Sequence, residues 1–158
     1  MSFAPFFDYP NASDDRNDDE LVLLPELDEH SWSRMFTYAT RRRFSKNEIV
    51  IKEGEVDRSL YIVGSGALQA VVPGSRWRFN PRPTVMGPGA VFGEVAFFDG
   101  KPRSAGVHGI ADGELLVLSF EAFEVFAAKE PALARTVLVE LGRILATRLR
   151  KSENPVGA

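Results

Sequence analysis

Across residues 26–40 the apolar residues Trp32, Met35, Phe36 and Ala39 recur at spacings of three and four, which predicts a helix with one buried face. After Arg41 the period changes to two. Ile49 and Ile51 alternate with Glu48, Val50 and Lys52, and extended segments follow at residues 59–63, 67–72, 77–80, 83–86, 104–108 and 114–119. Turn residues separate them: Gly64-Ser65-Gly66, Pro73-Gly74-Ser75, Gly87-Pro88-Gly89 and Asp112-Gly113. Short strands at this spacing predict an antiparallel, jelly-roll-like β-roll of about eight strands over about residues 41–119. The pattern then returns to helical. Ser119 is placed to cap a short helix running to about residue 129, and Pro131 suits the first turn of a longer one. In that second helix Leu133, Val137, Leu141, Ile144, Leu145 and Leu149 form a stripe, fit to pack on the roll or to pair with a second copy. Ser152-Glu153-Asn154-Pro155 ends it. The expected fold is α+β: a roll flanked by an N-terminal helix and two C-terminal helices (about residues 120–151).

At 158 residues and 44% hydrophobic content, one domain with a sizeable core is expected, over residues 21–158. Cysteine is absent, which excludes disulfide scaffolds, thiolate zinc sites and cysteine nucleophiles. The two histidines, His30 and His108, are too few and too far apart for a cupin-like metal oxygenase. Neither an enzyme nor a metal site is expected. No apolar run reaches the ~20 residues of a membrane span. Asp8, Asp14 and Asp15 stand where a signal peptide would be apolar, so a soluble, cytoplasmic protein away from membranes is expected.

The net charge of −3 is unevenly spread. Residues 1–20 hold six acids (Asp8, Asp14, Asp15, Asp18, Asp19 and Glu20) against Arg16, with Pro5, Pro10 and Asn11 among them. That composition predicts a disordered acidic arm, which would weaken any encounter with nucleic acid. Phe3, Phe6, Phe7 and Tyr9 give the arm aromatic groups that could lie on a partner surface.

One stretch interrupts the strand pattern: Gly87-Pro88-Gly89-Ala90-Val91-Phe92-Gly93-Glu94-Val95-Ala96, continuing to Pro102-Arg103-Ser104-Ala105. A helical turn starting at Gly93 would leave backbone N–H groups without intrahelical partners, and such donors attract an anion. Arg103 could fold back and offer a planar fork of donors to a phosphate. Glu94 would be repelled by that phosphate unless it had donors of its own, and a sugar hydroxyl supplies one. The same two residues could equally form a structural ion pair. On spacing alone both readings stand.

Gly93-Glu94-Val95-Ala96 followed by Pro102-Arg103-Ser104-Ala105 resembles the phosphate-binding cassette of the cyclic nucleotide-binding domain family. Phe44, the run Glu48-Ile49-Val50-Ile51-Lys52-Glu53-Gly54-Glu55, then Leu60-Tyr61-Ile62-Val63 and Gly66-Ala67-Leu68 resemble the family's upstream strands. The resemblance covers about residues 40–125. It implies that Arg103 pairs with the cyclic phosphate and that Glu94 accepts the ribose 2′-hydroxyl. Gly93 would meet the sugar through its backbone, and the N–H groups near Val95, Ala96 and Ala105 would complete the cradle. Thr84 is a candidate wall for the base, and Arg148 a candidate lid stacking over it. The family uses alanine, serine or threonine in the place of Ser104, so Ser104 leaves cAMP and cGMP both open. Two departures are minor. Asn47 stands where the family has a glycine, and asparagine tolerates positive φ. The Gly87-Pro88-Gly89-Ala90 turn lacks an acid often seen there.

The resemblance implies a cAMP or cGMP sensor with no further cofactor, whose C-terminal helix moves on binding. The residues after Lys151 are too few for a helix-turn-helix, so the output is expected to reach a protein effector or a second copy through that helix. The alternative is a degenerate fold kept only for protein contacts. Retention of both Glu94 and Arg103 argues against it, since either is costly to hold beside an empty pocket.

Overall fold

Strands buried on both faces make the centre of the molecule, seen in a computed structural model that describes residues 27–71 and 84–153. The helix α1 (Glu29–Phe36) precedes strands β1 (Thr40–Phe44), β2 (Ile49–Ile51), β3 (Leu60–Val71), β4 (Thr84–Met86) and β5 (Val91–Phe92). The short helix α2 (Glu94–Asp99) leads into β6 (Gly106–Leu118), then α3 (Phe120–Lys129) and α4 (Pro131–Glu153). The strands form one antiparallel six-stranded sheet in the order β1-β6-β3-β4, with β2 on β6 and β5 on β3. The expected α+β roll with flanking helices is therefore present. The strand expected at residues 77–80, the Pro73-Gly74-Ser75 turn and the acidic arm lie outside the described residues.

Alternate side chains of β3 and β6 feed two cores, because successive residues of a strand face opposite ways. Leu60 and Ile62 of β3 and Leu116 and Leu118 of β6 pack with Met35 of α1, Phe123 and Phe126 of α3 and Val137, Leu141 and Ile144 of α4. Their neighbours Tyr61, Val63 and Leu115 instead face into the roll with Phe44, Ile51, Leu68, Met86, Phe92 and Val107. Each fully buried aliphatic or aromatic side chain contributes about 1.5–3 kcal/mol, so the apolar contacts between helices and sheet hold the helical layer in place.

Local signals behave as their chemistry requires. Ser119 accepts the Ala122 amide at 3.1 Å and caps α3, and Asp28 accepts the Ser31 amide at 2.7 Å and caps α1. Asn47 takes φ +70° in the turn between β1 and β2, each of which pairs with β6. The first helix is shorter than its periodicity suggested. It stops at Phe36 because Thr40 already pairs with Val117, and Tyr38 turns to pack on Phe126 with ring centroids 5.3 Å apart.

Two expected turns are absent. Gly64-Ser65-Gly66 lies inside the 12-residue β3, and Asp112-Gly113 lies inside the 13-residue β6. The two segments face each other where the β3–β6 register shifts, between Val63 and Leu68. A Cβ on Gly113 would lie 2.1 Å from the Ser65 carbonyl oxygen, and one on Gly66, at φ +77°, 2.4 Å from that of Asp112. The glycines serve a pair of bulges that bend two long strands, and bulges use the same residues as turns. The α4 stripe also divides. Leu133, Val137, Leu141 and Ile144 are buried, Leu145 is half-buried and Leu149 is exposed, while Arg148 in the last turns reaches the Val91 carbonyl oxygen of β5.

Candidate functional site

A cavity of about 200 Å³ opens between the roll, α2 and the end of α4. Its walls hold every residue the sequence singled out: Thr84, Gly93, Glu94, Val95, Ala96, Arg103, Ser104, Ala105 and Arg148. Ile51, Ala70, Met86, Phe92, Pro102 and Val107 supply the apolar remainder. Strand ends and a short helix thus converge on a mostly apolar pocket with a few charged groups, the usual form of a small-molecule site.

Gly93 caps α2 with φ +84°, and a Cβ there would lie 2.9 Å from Arg103 Nη1 and 3.0 Å from the Ser59 carbonyl oxygen. Both the conformation and the space demand glycine. Gly93 turns β5 into α2 and so carries Glu94 into the interior, where only 3% of it is exposed. At the other end of α2, Gly100 takes φ +69° and closes the helix with its N–H on the Ala96 carbonyl oxygen.

Arg103 is 5% exposed. Its Nη1 donates to the Gly93 carbonyl oxygen at 2.8 Å, and its Nη2 donates to Ser59 O at 2.7 Å and to Asp57 Oδ2 at 3.0 Å. Its backbone is fixed as well: its N–H donates to Glu55 O at 2.8 Å, and its carbonyl accepts the Gly54 N–H at 2.9 Å. The Arg103 Nε is buried without a hydrogen-bond partner. Leaving a buried donor unsatisfied costs about 1–3 kcal/mol, so this atom marks where an acceptor is wanted.

Sequence reasoning missed Asp57. Its carboxylate also accepts the Tyr61 hydroxyl at 3.0 Å and the Ser59 amide at 3.0 Å. Burial pushes its pKa upward, but the hydrogen bonds from Arg103, Ser59 and Tyr61 outweigh that and hold it below the usual carboxylate range. The Asp-x-Ser pattern just ahead of a strand, which favours an aspartate turned onto the amide two residues on, was the available signal.

Glu94 and Arg103 do not form the structural pair that the spacing allowed. Glu94 pairs through Oε1 with Nη1 of Arg148, whose Nη2 also donates to the Val91 carbonyl oxygen. Arg103 has Asp57 instead. Arg148 therefore lines the cavity from α4 and grips the Glu94 carboxylate there. Ser104 and Thr84 are exposed at the cavity rim and Val95 is 48% exposed, whereas Ala96 is buried and Ala105 half-buried. Among the described residues no cluster of His, Asp or Glu could hold a metal ion, and no helix is long and apolar enough to cross a membrane.

The antiparallel roll with a buried guanidinium and a buried carboxylate in one cavity defines a ligand-binding module. The model of the cyclic nucleotide-binding domain matches residues 41–130, and the chain belongs to that family. It is 32% identical over 111 residues to the CRP-like cAMP-activated global transcriptional regulator of Mycobacterium tuberculosis, covering 70% of this chain and 47% of that one. The crystal structure of the Thermus thermophilus catabolite activator protein superposes with a TM-score of 0.71 at 26% identity, over 84% of this chain and 60% of that one. A cyclic nucleotide-binding domain from Methylobacillus flagellatus shares the fold, with a TM-score of 0.71 at 22% identity over 88% and 82% of the two chains. The chain spans 20% to 52% of the length of the curated relatives it matches.

Proposed function

We propose that this chain is a cyclic nucleotide sensor: it binds cAMP or cGMP in the cavity beside α2 and passes the signal through α4 to a protein partner. The observation that carries the reading is Arg103, a buried cation in the cavity wall whose Nε has no acceptor. A singly charged cyclic phosphate satisfies that donor and adds an opposite charge. Glu94 takes the ribose 2′-hydroxyl, Gly93 meets the sugar, and the N–H groups of Val95, Ala96 and Ala105 complete the phosphate contacts. Thr84 and Ser104, at the rim, face the base. Family membership supports each assignment at the matching position.

Arg148 gives the signal a route. It already holds Glu94 from α4, so a hydroxyl bonded to the same carboxylate alters the balance that fixes the end of that helix. Ligand then favours one position of α4 by its difference in affinity for the two. A protein effector or a second copy would meet the chain at that end of α4. The module occupies residues 21–158. It is cytoplasmic, catalyses no reaction and binds neither nucleic acid nor membrane.

Calorimetry and thermal unfolding of the whole chain with cAMP and with cGMP test the reading. At a hundred times its Kd a ligand adds about 2.7 kcal/mol of stability, a plain rise in melting temperature. No heat and no rise with either nucleotide would remove the sensor function and leave the fold.

A further inference from the structure

We infer that Arg58 is a positioning residue for the nucleotide site: it anchors the far end of α2 and thereby sets Glu94 relative to Arg103. The inference rests on the sensor reading above. Arg58 donates from Nε and Nη2 to the Phe97 carbonyl oxygen at 3.2 and 3.0 Å, and from Nη2 to that of Phe98 at 3.2 Å. These carbonyls lie in the last turn of α2, where the helix leaves acceptors without intrahelical donors and carries partial negative charge. The guanidinium carbon also sits 3.6 Å from the centroid of the Phe120 ring, in the first turn of α3. One side chain therefore joins the segment leading into β3 to α2 and α3.

The neighbours of Arg58 in the chain hold the other half of the site. Asp57 and the Ser59 carbonyl oxygen both accept from Arg103. The tripeptide Asp57-Arg58-Ser59 is thus a common base for the two charged groups of the cavity, holding Arg103 directly and Glu94 through the helix that bears it. A six-residue helix has little stability of its own, so its ties decide where Glu94 sits. Gly100 ends the helix beside this arginine: its φ of +69° favours glycine, and the Arg58 side chain passes within van der Waals reach of where a Cβ would stand.

A residue that only supported the fold would affect all ligands alike. A residue that sets Glu94 affects the contact with the 2′-hydroxyl most. Calorimetry on Arg58→Ala and Arg58→Lys with cAMP and 2′-deoxy-cAMP distinguishes them. Arg58→Ala is expected to weaken cAMP by about tenfold and the deoxy nucleotide by about twofold, the scale of a small misplacement. Arg58→Lys, which keeps the charge but not the flat fork, falls between. Equal losses for both nucleotides, or none, overturn the inference. Hydrogen exchange reads the anchor without any ligand: in both variants the α2 amides should exchange faster while those of β3 and β6 do not, and unchanged α2 exchange also overturns it. If the unaltered chain binds neither cAMP nor cGMP, the sensor reading fails and the role in binding fails with it. Faster α2 exchange in that case assigns Arg58 to the fold alone.

Discussion

Glu94 and Arg148 join the first turn of α2 to the last turns of α4 by an ion pair whose carboxylate side chain is only 4% exposed. Removing Arg148 leaves that carboxylate without its charged partner. Arg148→Ala should therefore cost about 1–3 kcal/mol of stability. Glu94→Gln lessens the demand for a cation, so the double variant should lose less than the sum of the singles, with a coupling energy of about 1–2 kcal/mol. Urea unfolding of the four proteins measures it. Strict additivity would mean that the pair does not hold the two helices together.

Arg103 carries the largest expected effect on binding. Arg103→Ala should weaken cAMP by about 2–5 kcal/mol, because it removes one partner of a buried charge interaction. That is very roughly 30-fold or more in Kd. Arg103→Lys should recover only a fraction, since a point-like ammonium cannot reach Gly93 O, Ser59 O and Asp57 together as the planar fork does. Titration calorimetry checks both, and an Arg103→Ala protein that binds as tightly as the original would place the phosphate elsewhere.

The cassette was legible because Gly93-Glu94-Val95-Ala96 and Pro102-Arg103-Ser104-Ala105 form two short runs that resemble a family motif, whereas their spacing alone left a structural ion pair open. These residues line one cavity together with Thr84 and Arg148, which only the family resemblance pointed to. What was not legible is which charge meets which. Asp57 lies 46 residues before Arg103 and Arg148 lies 54 after Glu94, and only the fold brings each to its partner. Pattern could not show that β3 and β6 are continuous either, since Gly66 and Gly113 are as suitable for a bulge as for a turn. Capping by Ser119 and the positive φ of Asn47 depend on adjacent residues alone, and both were read correctly.

Those two glycines make a sharp test of the bulge. Gly113→Ala should destabilise the chain by about 1–3 kcal/mol, the usual result of forcing a methyl group where none fits. The obstacle is backbone, the Ser65 carbonyl oxygen, so no side chain can swing away to relieve it. Gly142→Ala is the control. A Cβ there has nothing within 4 Å, and alanine favours the helix, so α4 should gain slightly. Denaturant midpoints compare them; a Gly113→Ala protein as stable as the original would mean that the two strands separate readily at the bulge.

Tyr61 and Asp57, linked to each other and through Asp57 to Arg103, give the support of that arginine opposite responses at the two ends of the pH scale. Burial, then the charge of Asp57 and the hydrogen bond to it, push the Tyr61 pKa up to about 12, against a smaller opposing effect of Arg103. The folded value exceeds the ~10 of an unfolded tyrosine, so its contribution is whole below pH ~10 and is lost as the pH rises through ~12. Asp57 is held below the usual carboxylate range, so its contribution is whole above pH ~4 and is lost as the pH falls through its lowered value. Tyr61→Phe should cost about 0.5–1.5 kcal/mol at neutral pH through the lost hydrogen bond, and should flatten the alkaline decline. Asp57→Asn should flatten the acid one. Urea unfolding across the pH range, with tyrosine absorbance followed at the alkaline end, reads both. An alkaline decline equally steep in Tyr61→Phe would assign it to other groups and leave the Tyr61–Asp57 bond without weight in that range.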